Sequence, residues 1–231
     1  MNRIALKKNS IMDYKVYLFD LDGTLYYQKP FRVKMLRTLI KHMLMRPSSI
    51  MDMFLIKTYR TVREHWDQCE EECSFDSKMG LDEKQYAYVA KKRGTTPERV
   101  KRAVELFMLE MPLRVLPPFR DEVLYALMQK LREENKTVVI YSDYPVENKL
   151  ACLGITADAC YTSSDACINC MKPDPKGIRV ILSTLGCDSA DAVMIGDRYE
   201  KDGLAAEQNN VDYVIVDSAK RERQKLLKLW S

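Results

Sequence analysis

A run of strand-forming residues, Val16-Tyr17-Leu18-Phe19, stops abruptly at Asp20 and Asp22 and is followed at once by Gly23. Continuous apolar β-formers without alternation read as a strand buried on both faces, the kind found in a parallel sheet covered by helices. The two carboxylates then stand just past the strand's carboxyl end, where open α/β sheets bind their ligands. Gly23 allows the sharp turn behind them. Acids this close repel one another, and either a bound divalent cation or a shared proton relieves the repulsion. An ordinary strand-to-turn junction with solvated Asp residues would look the same locally, so the rest of the chain must decide.

From about residue 115 onward, strands and helices alternate. Strands are expected at Thr137–Tyr141, Ala159–Thr162, Ala192–Ile195 and Tyr213–Val216, and helices at Asp121–Glu134, Val146–Leu153, Lys176–Leu185 and Gly203–Gln208, with Gly154 and Gly186 closing two of them. Such alternation implies right-handed crossovers and a doubly wound parallel sheet, an α/β fold. The stretch before it is different. Phe31–Met45 carries Val33, Leu36, Ile40, Met43 and Leu44 at helical spacing, with Arg32, Lys34, Arg37 and Lys41 on other faces. Ile50–Glu72 and Leu81–Arg93 continue the helical pattern, and Thr96 and Pro97 open a further helix to about Glu110. Pro112, Pro117 and Pro118 mark the way back out. The expected organisation is therefore an α/β core of residues 1–30 and 115–231 interrupted by an all-helical domain of residues 31–114. Ala219–Trp230 reads as a closing basic amphipathic helix or tail.

Composition narrows the setting. With 46% hydrophobic and 30% charged residues in 231, the chain suits a folded soluble protein. No apolar run reaches the roughly 20 residues that a membrane helix needs, and Met1–Lys8 lacks the apolar block of a signal peptide, so a cytoplasmic protein without a membrane partner is expected. Seven Cys, an odd number, fit reduced thiols in a reducing compartment. Cys167 and Cys170 form a lone C-x-x-C, and Cys69 and Cys73 sit one helical turn apart in the inserted block; zinc usually needs two such pairs together. The net charge of +4 arises from 37 basic and 33 acidic residues interspersed, which argues against a nucleic-acid partner. His42 and His65 are isolated and read as surface residues. Arg32, Lys34, Arg37, Lys41 and Arg46 could meet an anionic substrate, but a solvated helix face is the simpler reading.

The later strands also end in polar groups. Thr137–Tyr141 leads into Ser142 and Asp143, and Ala192–Ile195 leads into Gly196-Asp197, with Asp202 five residues on. Between them Lys172-Pro173-Asp174-Pro175 forms a turn whose prolines fix the backbone and so hold one ammonium in place. Each element alone is ordinary, but together they fall at one edge of one inferred sheet.

Asp20-Leu21-Asp22-Gly23-Thr24, Ser142, Lys172 within Lys-Pro-Asp-Pro, and Gly196-Asp197 with Asp202 resemble, in order, the four motifs of the haloacid dehalogenase-like hydrolase superfamily. The resemblance spans the whole chain, because the helical cap that some members insert between the first and second motifs matches the placement of residues 31–114. It implies a Rossmann-like core and Mg²⁺ held by Asp20, the backbone carbonyl of Asp22, and Asp197. It also implies that Asp20 is phosphorylated, that Asp22 serves as acid and base, that Ser142 and Lys172 bind the phosphoryl oxygens, and that Asp202 holds Lys172 or a metal-bound water. Dehalogenases of this fold lack an acid at the position of Asp22, so its presence points to the phosphatase branch and to a small phosphorylated metabolite as partner. A phosphomutase acting on a sugar phosphate, or a non-catalytic phospho-ligand binder, is the alternative. Thr24 and Gly23 are read as structural, and the substrate and oligomeric state have no motif that reveals them.

Overall fold

A computed structural model describes residues 3–8, 10–76 and 78–216. The expected closing helix at Ala219–Trp230 lies outside these residues. The chain divides into two compact units, Met1–Phe31 with Leu116–Ser231, and Arg32–Val115.

The first unit is built on a six-stranded sheet: β1 (Arg3–Ala5), β2 (Val16–Phe19), β3 (Thr137–Ser142), β4 (Ala159–Thr162), β5 (Ala192–Gly196) and β6 (Asp212–Ile215), in the order β1-β6-β5-β2-β3-β4. β2 lies at the centre, parallel to β5 and β3, and its side chains are all buried, as an uninterrupted apolar run requires. Five strands are parallel, but β1 joins β6 antiparallel. The doubly wound parallel sheet is as expected, with one antiparallel edge strand added to it. A three-residue strand has no readable periodicity of its own; pairing with an existing edge creates it, a common finish to parallel sheets.

Helices α7 (Glu122–Glu133), α8 (Glu147–Leu153), α9 (Lys176–Leu185) and α10 (Leu204–Glu207) supply the crossovers. Asp121 caps α7, accepting the backbone N–H groups of Val123 and Leu124 at 2.9 and 3.0 Å. One face of the sheet forms a core of Val16, Leu18, Val139, Met194, Ile178 and Ile181, with Ala205 and Ala206 of α10. The two chain passages flanking the helical insertion lie side by side within this unit. Tyr26 pairs with Arg120, the Tyr27 N–H donates to the Phe119 carbonyl at 2.8 Å, and the Asp121 N–H donates to the Leu25 carbonyl at 2.9 Å.

The second unit contains most of α1 (Gln28–Met45), then α2 (Ile50–Glu64), α3 (Trp66–Glu71), α4 (Leu81–Arg93), α5 (Pro97–Val104) and α6 (Met111–Leu113), with a π-helical stretch at Glu105–Glu110 joining the last two. α1 begins at Gln28 rather than Phe31, so the short link expected at Tyr26–Pro30 is mostly the first turn of a helix, which Pro30 tolerates there. The helix expected over Ile50–Glu72 breaks at His65 into α2 and α3. The proline-rich exit at Met111–Pro118 is helical in its first turn. α2, α4 and α5 pack together around Leu55, Tyr59, Val62, Val89, Val100 and Val104. α1 departs furthest from expectation: Val33, Leu36, Ile40 and Leu44 are exposed, while Phe31 and Met35 are buried. His65 is exposed as expected, but His42 is half-buried with its ring against Phe107 at 5.4 Å. All seven cysteines are free thiols. Among the described residues, no helix is long and apolar enough to cross a membrane.

Candidate active site

Strand register sets the site. Phe19 of β2 lies level with Ile140 of β3 and Ile195 of β5, so Asp20, Tyr141-Ser142 and Gly196-Asp197 emerge along one edge. The Asp20 N–H still donates to the Ile195 carbonyl at 2.9 Å, which holds the residue in line with the sheet. Thr24, one turn on, donates its hydroxyl to Asp20 Oδ2 at 3.0 Å and thus orients the carboxylate as well as shaping the turn.

Lys172 comes from the loop between β4 and α9. Its Nζ donates to Asp20 Oδ1 at 2.7 Å, to Asp202 Oδ1 at 2.6 Å and to the Tyr141 carbonyl at 3.2 Å. Asp143 anchors that loop by accepting the Lys172 N–H at 3.1 Å and the Ser163 hydroxyl at 2.5 Å, a role that sequence reading left unassigned. Lys172, Asp20 and Asp202 are all buried. Burial pushes the Lys172 ammonium down, but Asp20, Asp202 and Asp143 outweigh it and hold its pKa well above the ordinary lysine value. Asp20 is also displaced: burial raises its pKa well above the carboxylate range, Lys172 opposes this, and Asp202 and Asp197 add to it. Like charges are thus crowded around Asp20.

Oxygen atoms of Asp20, Asp197 and Asp202 all lie within 4.8 Å of one another. Hard oxygen donors crowded in this way suit a divalent cation such as Mg²⁺. Two glycines make the crowding feasible. Gly23 has a φ of +102°, where side chains are strained, and a Cβ there would lie 2.2 Å from Asp197 Oδ2. A Cβ on Gly196 would lie 2.3 Å from the Asp202 carboxyl carbon. The donor set therefore fits the cation. The Asp22 carboxylate is not in this group; the sequence expectation for Asp22 as a ligand concerns its backbone carbonyl.

Asp22 points instead to a second cation. Lys149 of α8 places Nζ 2.6 and 2.7 Å from the two Asp22 carboxylate oxygens, and the Tyr26 hydroxyl donates to Oδ1 at 2.6 Å. Lys149 was not found from sequence, where a lysine inside a short helix reads as solvated. The available signal was position: α8 follows the strand that delivers Ser142, so the helix starts beside the same sheet edge. Ser142 is itself buried at the end of β3, its Oγ accepting the Tyr144 N–H at 3.2 Å. Asp20, Asp197, Asp202 and Lys172 thus converge, while Asp22 with Lys149 forms a distinct neighbouring pair.

The model of the haloacid dehalogenase-like hydrolases matches residues 14–210, the strand, the insertion and the sheet edge just described. The chain belongs to that family. Among solved structures of these hydrolases, the 2-haloacid dehalogenase of Pseudomonas syringae is similar with a TM-score of 0.59 at 16% identity, covering 87% of this chain and 85% of that one. YfnB of Bacillus subtilis, assigned as a HAD-hydrolase and solved bound to magnesium, gives 0.57 at 17% identity, covering 87% of each. A HAD phosphatase of Thermococcus onnurineus gives 0.51 at 19% identity, covering 92% of this chain and 97% of that one. These likenesses establish the fold that the hydrolase family shares. In sequence, the pyrophosphatase PpaX of Bacillus velezensis is 43% identical over 51 residues, 22% of this chain and 23% of that protein.

Proposed function

We propose that this hydrolase is a Mg²⁺-dependent phosphatase that cleaves phosphate monoesters of a small metabolite through an aspartyl-phosphate on Asp20. The observation that carries the reading is the pair of carboxylates held in different ways: Asp20 beside Lys172, and Asp22 on Lys149 and Tyr26. Displacing halide needs one carboxylate nucleophile and no proton, whereas releasing an alcohol and then activating water needs a second acid-base group. The named similarity to PpaX and to the Thermococcus onnurineus phosphatase points the same way, and magnesium in YfnB supports the metal.

Asp20, Asp197 and the backbone carbonyl of Asp22 would hold Mg²⁺, and when bound the ion neutralises charge between nucleophile and phosphate. Lys172 adds a fixed positive charge and Ser142 a hydroxyl donor for the phosphoryl oxygens. An Asp20 oxygen attacks phosphorus, the bond to the leaving oxygen breaks, and Asp22 delivers a proton to that oxygen. Asp22, again a carboxylate, then takes a proton from the water that attacks the phosphoryl group, releasing inorganic phosphate and restoring Asp20. In this structure Asp22 accepts hydrogen bonds from Lys149 and Tyr26. Lys149 must loosen its hold for the protonating step.

Asp22→Asn separates the two half-reactions. With an aryl phosphate, whose leaving group needs little protonation, it should give a burst of phenol and then a steady state slower by about 10²–10⁴-fold. A mass increase of one phosphoryl group should appear on the peptide containing Asp20. Phosphate trapped on Ser142, or a burst that survives Asp20→Asn, would overturn the assignment. A screen of phosphorylated metabolites for Mg²⁺-dependent phosphate release then identifies the substrate.

A further inference from the structure

α1 has two apolar faces, and only one is covered. At about 100° per residue, Val33, Leu36, Ile40 and Leu44 fall on one stripe, opposite Phe31, Met35 and His42. Met45, next in sequence, and Ile50, Met51 and Phe54, beyond the turn at Pro47–Ser49, are exposed as well, and the eight side chains range from 45% exposed at Ile50 to 78% at Leu44. Isolated exposed apolar residues are ordinary, but a run of this length marks an interaction surface.

Its charge is one-sided. No Asp or Glu occurs between Asp22 and Asp52, whereas Arg32, Lys34, Arg37, Lys41 and Arg46 do, all exposed. Among the described residues none of these five forms an ion pair with a carboxylate. Around the helix, Arg37, Lys41 and Lys34 flank the stripe on one side and Arg32 lies on the other.

We propose that this face docks on an anionic lipid bilayer, α1 lying in the plane of the interface. The stripe enters the acyl boundary, while the cations reach outward to lipid phosphates and carboxylates on their flexible stems. Charge complementarity selects this occupant. A second copy would bring two uncompensated cationic faces together. A nucleic acid would gain little from aliphatic side chains that cannot stack on bases. The lack of a membrane-crossing helix does not bear on a helix that lies at the surface.

The full chain should be mixed with sedimentable vesicles of phosphatidylcholine alone and with about 30% phosphatidylserine. Binding is expected only to the anionic vesicles and should fall at least tenfold on raising salt from 0.1 to 0.5 M. Arg37→Gln with Lys41→Gln should weaken binding about tenfold, and Ile40→Asp with Leu44→Asp should abolish it. Both pairs are exposed, and circular dichroism melts report whether each variant folds. If the aspartate pair unfolds, the glutamine pair and the salt series decide alone. Failure of the wild type to bind anionic vesicles, or equal binding by the folded variants, overturns the proposal. So does a dimer in analytical ultracentrifugation that Ile40→Asp with Leu44→Asp dissolves while vesicle binding stays absent, or stoichiometric binding of an acidic amphipathic peptide in place of vesicles.

Discussion

Each of the two units buries a basic side chain against acids, and the two arrangements differ in their balance. In the helical unit, Arg63 is 1% exposed and donates to Asp82 at 2.7 Å, with the neutral acceptors Gln85 Oε1 and Tyr59 Oη at 2.5 and 3.0 Å. One cation meets one anion, and neutral acceptors add to the same guanidinium nitrogen, while Arg63 Nε is buried without a hydrogen-bond partner among the described residues. In the α/β unit, Lys172 meets Asp20 and Asp202 directly, with Asp197 in the same cluster. Burying charge is costly in either place, on the order of several kcal/mol per ion even after relaxation. The helical unit matches its buried cation with a single carboxylate, a one-to-one pairing of charge. The sheet edge instead crowds the carboxylates of Asp20, Asp197 and Asp202 within 4.8 Å of one another, an arrangement of like charges that suits a cation. Buried charge alone therefore does not identify a site; the crowding of like charges is the stronger mark.

Removing one acid from the cluster should have the largest effect. Asp20→Asn leaves Lys172 still paired with Asp202, so the metal-free protein should unfold at higher denaturant concentration than wild type. Under the proposed function, activity on phosphate monoesters should nevertheless fall by about 10⁴-fold or more, because the proposed nucleophile is gone. A metal-free Asp20→Asn protein less stable than wild type would break the comparison. Arg63→Met tests the balanced side. It leaves Asp82 without its cation and should cost about 3 kcal/mol in urea unfolding. Mg²⁺ should raise the stability of wild type and leave this deficit unchanged, since the proposed metal site belongs to the other unit.

Lys149→Met probes the pair between Asp22 and its cation. A group that orients a reacting residue without touching the phosphorus typically changes rates by 10–100-fold, and a loss of roughly tenfold in kcat on an alkyl phosphate is expected, with KM little changed. Lys149→Arg should recover part of it. The smallest effect concerns Asp191, which stands just before β5 with two lysines beside it. Lys15 and Lys8 hydrogen-bond Asp191 and hold its pKa at about 2. A folded value below the unfolded one of about 4 stabilises at higher pH, and that contribution disappears as pH falls through the folded value. The small advantage of wild type over Asp191→Asn should therefore be present at pH 7 and shrink between about pH 4 and pH 2, and salt should screen it.

The sequence by itself determined the α/β core, its central strand, the helical insertion, and the residues that meet at the sheet edge. These follow from local periodicity and from turn chemistry: a buried strand must be continuously apolar, and parallel strands force their polar ends to one side. Register then brings Asp20 and Asp197 together, and the loop after β4 and the turn after β5 add Lys172 and Asp202, although up to 182 residues separate the four. Only the tertiary structure decided the rest. β1 exists because β6 offers an edge, not because Arg3-Ile4-Ala5 prefers a strand. Arg63 and Lys149 look like any solvated helix cations until packing seals one beside Asp82 and aims the other at Asp22. α1 shows the limit most clearly. Helical spacing marks Val33, Leu36, Ile40 and Leu44 as one face, but spacing fixes only which residues share a face. Whether that face meets a core or water depends on where neighbouring helices lie, and here Phe31 and Met35 are buried while the longer stripe stays exposed.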